Sequence, residues 1–145
     1  MVRYATVEDL GTLYELLEAL RHESLWRTLS GAGDPMYVAS VLMEYLVNPK
    51  ELILLADCDG EPVSLCGAEL TCQRFLQTMQ YLQEWALYVR PSFRGLGYGT
   101  ALWQEAEQWG QARGALGSVR GKILKGHMSE HYTWHHFALE GVGHG

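Results

Sequence analysis

Apolar positions along this chain change period several times, and each change marks an element. Val2 to Thr6 alternate, as a short strand does. Thr6 then stands where a helix N-cap is expected, with Glu8 and Asp9 in the first turn, where the helix dipole favours acids. Leu10, Leu13, Leu16, Leu17 and Leu20 follow at helical spacing and predict an amphipathic helix over residues 7 to 21. The stretch TLSGAGDP (28 to 35) is a loop. Asp34 and Pro35 at its end start a second helix that runs to about Val47. ELILLADC is a continuous apolar run ended by Asp59-Gly60, the pattern of a buried strand and a hairpin turn. EPVSLCGAELTC is its antiparallel partner, and TMQYLQEWALYV (78 to 89) is a long third strand. A helix is predicted from about Gly97 to Arg113, with Leu102, Ala106 and Trp109 inward and Gly114 as C-cap. GSVRGKILKG reads as a further strand and HMSEHYTWHHFALEG as a last helix. The order β-α-α-β-β-β-α-β-α predicts a mixed α/β fold, a mostly antiparallel central sheet flanked by helices.

Composition narrows the setting. At 145 residues the chain fits one domain, 1–145. Hydrophobic residues at 48% and charged ones at 19% are a globular balance. The net charge of -6 argues against nucleic acid as a partner. Three cysteines, Cys58, Cys66 and Cys72, have neither disulfide-framework count nor zinc-ribbon spacing. No signal-peptide core opens the chain, and no apolar run approaches the ~20 residues of a membrane span. The expectation is a cytoplasmic protein without a membrane partner.

The stretch RPSFRGLGYGTALW (90 to 103) carries the chemistry. Gly95, Gly97 and Gly99 stand at alternate positions behind Arg94 and ahead of a helix. Backbone N–H groups at a helix start form an anion site, glycines let the backbone approach the anion, and an arginine adds charge at the rim. A dinucleotide loop of GxGxxG form is not met, because Thr100 takes the last glycine's place. The GxxxxGK of a nucleotide-triphosphate loop is absent.

Taken with its surroundings, LYVRPSFRGLGYGTALW resembles the acetyl-CoA-binding signature of the GNAT superfamily of N-acyltransferases. That signature is Arg or Gln, two residues, Gly, one residue, then Gly or Ala, met here by Arg94, Gly97 and Gly99. The opening VRYATVEDLGTLYELLEAL and the helix after the motif also resemble that family, over roughly residues 2 to 125. The resemblance implies a GNAT-like fold with a short C-terminus, since the chain stops at Gly145, before the last strand such domains carry. It implies acetyl-CoA as acyl donor and a small-molecule or protein amine as acceptor. It implies that Arg94, Gly95, Leu96, Gly97, Tyr98, Gly99 and Thr100 hold the pyrophosphate. Leu87, Tyr88 and Val89 would pair with the pantetheine arm like an added strand, beside a bulge and a splayed neighbour. A backbone N–H near Leu87 or Val89 would polarise the thioester carbonyl. Homodimers, common in the family, are a further implied partner.

Acetyl transfer to an amine needs a base for the ammonium proton and an acid for the thiolate. Strand alternation puts Tyr81, Gln83, Trp85 and Leu87 on the acceptor face, and Leu82, Glu84, Ala86 and Tyr88 on the other. Glu84 is the candidate base, provided that a bulge re-aims it; a paired structural carboxylate is the other reading. Trp85 is a pocket wall or core. In the family the acid is a tyrosine on the last helix, and the matching position here is Phe137, without a hydroxyl. Tyr132 serves only in a different register. His22 and Glu23, in LRHESLWR, are candidates to contact a cationic amine, or simply the solvated end of the first helix. His127, His131 and His135 are spaced by four, one face of a helix, but no ligand set completes a zinc site, so no metal is expected. Two functions remain: an N-acetyltransferase moving acetyl from acetyl-CoA to a primary amine by direct transfer, or a catalytically degenerate acyl-CoA-binding domain of the same fold.

Overall fold

The computed structural model describes residues 1–23, 34–73, 75–123 and 130–137. Six strands, β1 (Val2–Tyr4), β2 (Glu51–Cys58), β3 (Glu61–Gln73), β4 (Leu76–Val89), β5 (Gly117–Ile123) and β6 (Glu130–His136), form one sheet in sequence order. Every neighbouring pair is antiparallel except β4 and β5, which run parallel. The parallel step follows from chain order, since α3 (Tyr98–Ala112) carries the chain back over the sheet between those two strands.

Helices α1 (Leu10–Glu23) and α2 (Pro35–Val47) cover one face, and α3 covers the other. Asp34 caps α2 through its carboxylate, which accepts from Met36 N at 3.0 Å. The alternation of β2 divides the two cores. Leu52 and Leu54 join Leu102, Ala106 and Trp109 of α3, while Ile53 and Leu55 join Leu13 and Leu16 of α1. Trp103 and Gly110 are also buried on α3, and a Cβ at Gly110 would stand 3.3 Å from Leu82, so glycine sets how closely α3 approaches β4.

Two expectations are corrected. Residues 130–136 are a strand, not a helix, so His131, Tyr132 and His135 lie on β6, and His127 lies outside the described residues. Residues four apart share a face in a strand as they do on a helix, so the histidine spacing could not separate the two. Aromatic and β-branched content (Tyr132, Thr133, Trp134) and β5's need for an outer partner favour the strand. Phe137, placed on that helix as the match to the family's acid, instead follows β6, is buried against α3, and donates its N–H to Leu116 O. Loop residues 28–33 and 138–145 lie outside the described residues.

The second correction concerns β4. Gly67 pairs with Ala86 but Ala68 pairs with Glu84, so Trp85 is an extra, bulged residue. Beyond the bulge the alternation reverses. Leu82 and Leu87 pack in the α3 core, whereas Trp85 and Tyr88 pack with α1 and α2. Leu87 therefore does not share a face with Trp85 and Gln83. Gly67 is the sequence's accommodation of this bulge, because a Cβ there would meet the Trp85 ring at 2.5 Å.

Candidate functional site

The β4–β5 ladder is short. Leu82 pairs with Ser118, Gln83 with Val119, and Leu116 N donates to Gln80 O at 2.9 Å. Residues 84–89 have no ladder with β5, so a slot opens along β4 from Gln83 to the glycine loop. The register decides which backbone groups line it. Arg90 N donates to Val63 O at 2.8 Å, so Arg90 faces β3. Bonded and non-bonded pairs alternate in an antiparallel ladder. Val89, opposite Ser64, and Leu87, opposite Cys66, therefore turn their N–H and C=O groups into the slot. Tyr88 turns its own toward β3.

The slot ends at the helix start. Gly95 and Gly97 have φ of 79° and 92°, left-handed conformations that glycine adopts without strain. No side chain caps α3, and its first internal bond runs from Ala101 N to Gly97 O. The N–H groups of Tyr98, Gly99 and Thr100 precede that bond, at the positive end of the helix dipole. A Cβ at Gly99 would stand 3.7 Å from both Leu87 and Val89, so the helix start lies close over the strand edge. Phe93 packs edge-on against Tyr98 across the loop.

Arg94 does not lie along the loop. Its Nε donates to Val89 O at 2.8 Å, its Nη2 meets Glu23 Oε2 at 2.6 Å, and its guanidinium stands over the Tyr88 ring at 5.5 Å. The Tyr88 hydroxyl and the Glu23 carboxylate also influence each other's titration. Arg94 holds the Glu23 carboxyl below its ordinary range, and burial raises the Tyr88 hydroxyl. A cavity of about 460 Å³ opens among Leu20, Glu23, Leu87, Tyr88, Val89 and Arg94. Glu23 thus belongs to the glycine-loop end of the slot, and Gln83 and Trp85 to the other end. His22 stands exposed beside Arg21, 3.5 Å between Nε2 and Nη2.

Glu84 meets Arg120 Nε at 3.1 Å with its side chain 9% exposed, and Arg120 stacks on Trp103 of α3. The bulge gives Glu84 the same face as Leu87, but the carboxylate is engaged with Arg120. Tyr132 pairs with Gly121 on the far side of β5. Among the described residues, no three His, Cys, Asp or Glu side chains gather as a metal site.

A second carboxylate group escaped the sequence. Glu51, Glu69 and Gln83 stand in one row across β2, β3 and β4, ending at Val119, where the ladder stops. Glu51 is pushed up to about 7 by burial and by Glu69, although Trp85 Nε1 donates to it at 3.2 Å. Tyr45 packs 5.4 Å from Trp85 and completes the wall. Neither carboxylate has an ion-pair partner among the described residues. Only register brings these residues together. No local motif marks them.

The sequence profile described as Acetyltransferase (GNAT) family matches residues 14–123. Solved structures share the fold at low identity. An aminoglycoside antibiotic 6'-N-acetyltransferase from Acinetobacter haemolyticus superposes with TM-score 0.69 at 19% identity, over 87% of this chain and 81% of that one. An aminoglycoside N-acetyltransferase in complex with CoA gives 0.68 at 16%, over 87% and 81%. A ribosomal-protein-alanine N-acetyltransferase from Brucella melitensis gives 0.67 at 20%, over 83% and 73%. No protein of curated function matches the chain by sequence.

Proposed function

Because the chain belongs to the GNAT acetyltransferase family, we propose that it moves an acetyl group from acetyl-CoA to a primary amine of a small molecule or protein by direct transfer. One observation carries this reading: the Leu87 and Val89 edge of β4, which has no ladder with β5, leads through the turn at Pro91–Phe93 to an uncapped, glycine-opened helix start. The edge suits an amide-bearing arm and the helix start suits a pyrophosphate.

The N–H groups of Tyr98, Gly99 and Thr100, freed by the turns at Gly95 and Gly97, hold the phosphates; Leu96 and Arg94 flank them. Leu87 and Val89 hydrogen-bond the arm. Their N–H groups are also the slot's donors for the thioester oxygen, which gains charge as the amine attacks. The ammonium first gives its proton to a carboxylate. The new N–C bond then forms as the C–S bond breaks, and the departing thiolate takes up a proton. Glu69 and Glu51, in the row with Gln83, are the carboxylates facing away from α3 at the slot's inner end. Glu84 serves as base only if it leaves Arg120, and Tyr132 is the hydroxyl to test for protonating the thiolate. His22 remains a candidate for acceptor contact on the α1 side.

The degenerate acyl-CoA-binding reading has one observation in its favour, the engagement of Glu84 with Arg120. Both readings place the chain as a single cytoplasmic domain; among the described residues no helix is long and apolar enough to cross a membrane. A homodimer is compatible with either.

Amide hydrogen exchange tests the slot. Acetyl-CoA is expected to protect the Leu87 and Val89 amides and to leave Tyr88, already bonded to β3, nearly unchanged. Uniform protection of all three, or none on a protein that binds acetyl-CoA, would remove the arm from the β4 edge.

A further inference from the structure

The edge that should receive the donor is partly occupied by the protein's own Arg94. Its Nε takes the Val89 carbonyl, one of the slot-facing groups that an added strand would use. Its Nη2 is held by Glu23 from the last turn of α1, and the Tyr88 ring lies beneath the guanidinium. A pyrophosphate at the start of α3 would compete with Glu23 for the same cation, three residues before the helix cap at Gly97. The geometry points to Glu23 as a residue that sets donor affinity: it holds Arg94 across the Val89 edge in the free protein, and the donor's phosphate takes the guanidinium over.

This rests on the acetyl-CoA reading above and adds to it a counter-ion exchange. The two side chains are 48% and 41% exposed, so the pair is worth only the modest amount typical of solvated ion pairs. The Val89 carbonyl is released in the same step, so arm and phosphate binding are coupled.

The test is calorimetric titration of native protein, Glu23→Gln, Glu23→Asp, Arg94→Gln and the Glu23→Gln/Arg94→Gln double variant. The ligands are acetyl-CoA, ADP as a phosphate-only half and pantetheine as an arm-only half. Glu23→Gln is expected to bind acetyl-CoA and ADP about two- to fivefold more tightly than native, the factor that about 0.4–1 kcal/mol of lost competition gives. Glu23→Asp should return toward native affinity. In the Arg94→Gln background the Glu23→Gln gain should vanish, which a merely structural role of Glu23 would not produce. Unchanged or weaker binding by Glu23→Gln, with native protein still binding acetyl-CoA, overturns the exchange and leaves the acetyl-CoA reading standing. A gain that persists without Arg94 also overturns it. Absence of acetyl-CoA binding by every variant and by native protein removes both.

Discussion

Gly97→Trp is expected to lose acetyl-CoA binding by about two orders of magnitude while the protein stays folded. The position has φ 92°, and a Cβ there meets nothing within 4 Å. The native packing therefore has room for a side chain. The cost to folding is that of a left-handed non-glycine residue, on the order of 1–3 kcal/mol. The cost to binding is larger. An indole at the cap stands before the N–H groups of Tyr98, Gly99 and Thr100 and forces the loop away from its left-handed turn. Losing two charge-assisted hydrogen bonds at about 1.5 kcal/mol each accounts for the hundredfold. Thermal melting and calorimetry separate the two effects. A variant that melts a few degrees lower but keeps native affinity would show that the loop is only a turn.

Glu51→Gln is expected to make the protein more stable at alkaline pH and to flatten its stability profile. The folded state raises Glu51 from 4.5 to about 7 through burial and the facing Glu69. The folded protein thus binds the proton more tightly than the unfolded chain does. The favourable contribution is fully present below about pH 4.5 and is lost as pH rises through about 7. Full burial would give over 3 kcal/mol for such a change, but partial exposure and coupling to Glu69 reduce this to on the order of 1–2 kcal/mol. Denaturant titrations at pH 5 and pH 8.5 should therefore show native protein losing stability relative to Glu51→Gln. A constant difference between the two proteins across that range would mean that Glu51 is ionised throughout.

Most of the fold was legible because local pattern and global packing agree. The leucine stripe of α1, the Asp34-Pro35 start of α2 and the inward Leu102, Ala106 and Trp109 of α3 all stand as the periodicity implies. The last element was misread because a spacing of four satisfies both periods, and the demand that decides it, a partner for β5, is not local. The glycine loop was legible because its conformations require glycine at two of three positions. The faces of β4 were not, since one inserted residue at Trp85 reverses every side chain beyond it and nothing in QEWALYV announces the insertion. Gly67, 18 residues before Trp85 on the neighbouring strand, was the signal, and it becomes interpretable only once the register is known. The Glu51–Glu69–Gln83 row and the Glu23–Arg94 pair were hidden for the same reason. They join residues between 14 and 71 positions apart in sequence.

The central claim is acetyl transfer, and the most direct test is the release of free CoA thiol from acetyl-CoA in the presence of primary amines. The panel should span aminoglycosides, polyamines and peptides with free N-termini. The account predicts thiol release above the uncatalysed rate with at least one class, accompanied by an acetylated amine of matching amount, and lost in Gly97→Trp. A native protein that binds acetyl-CoA yet releases no thiol with any class would contradict it and leave a binding domain built on an acetyltransferase fold.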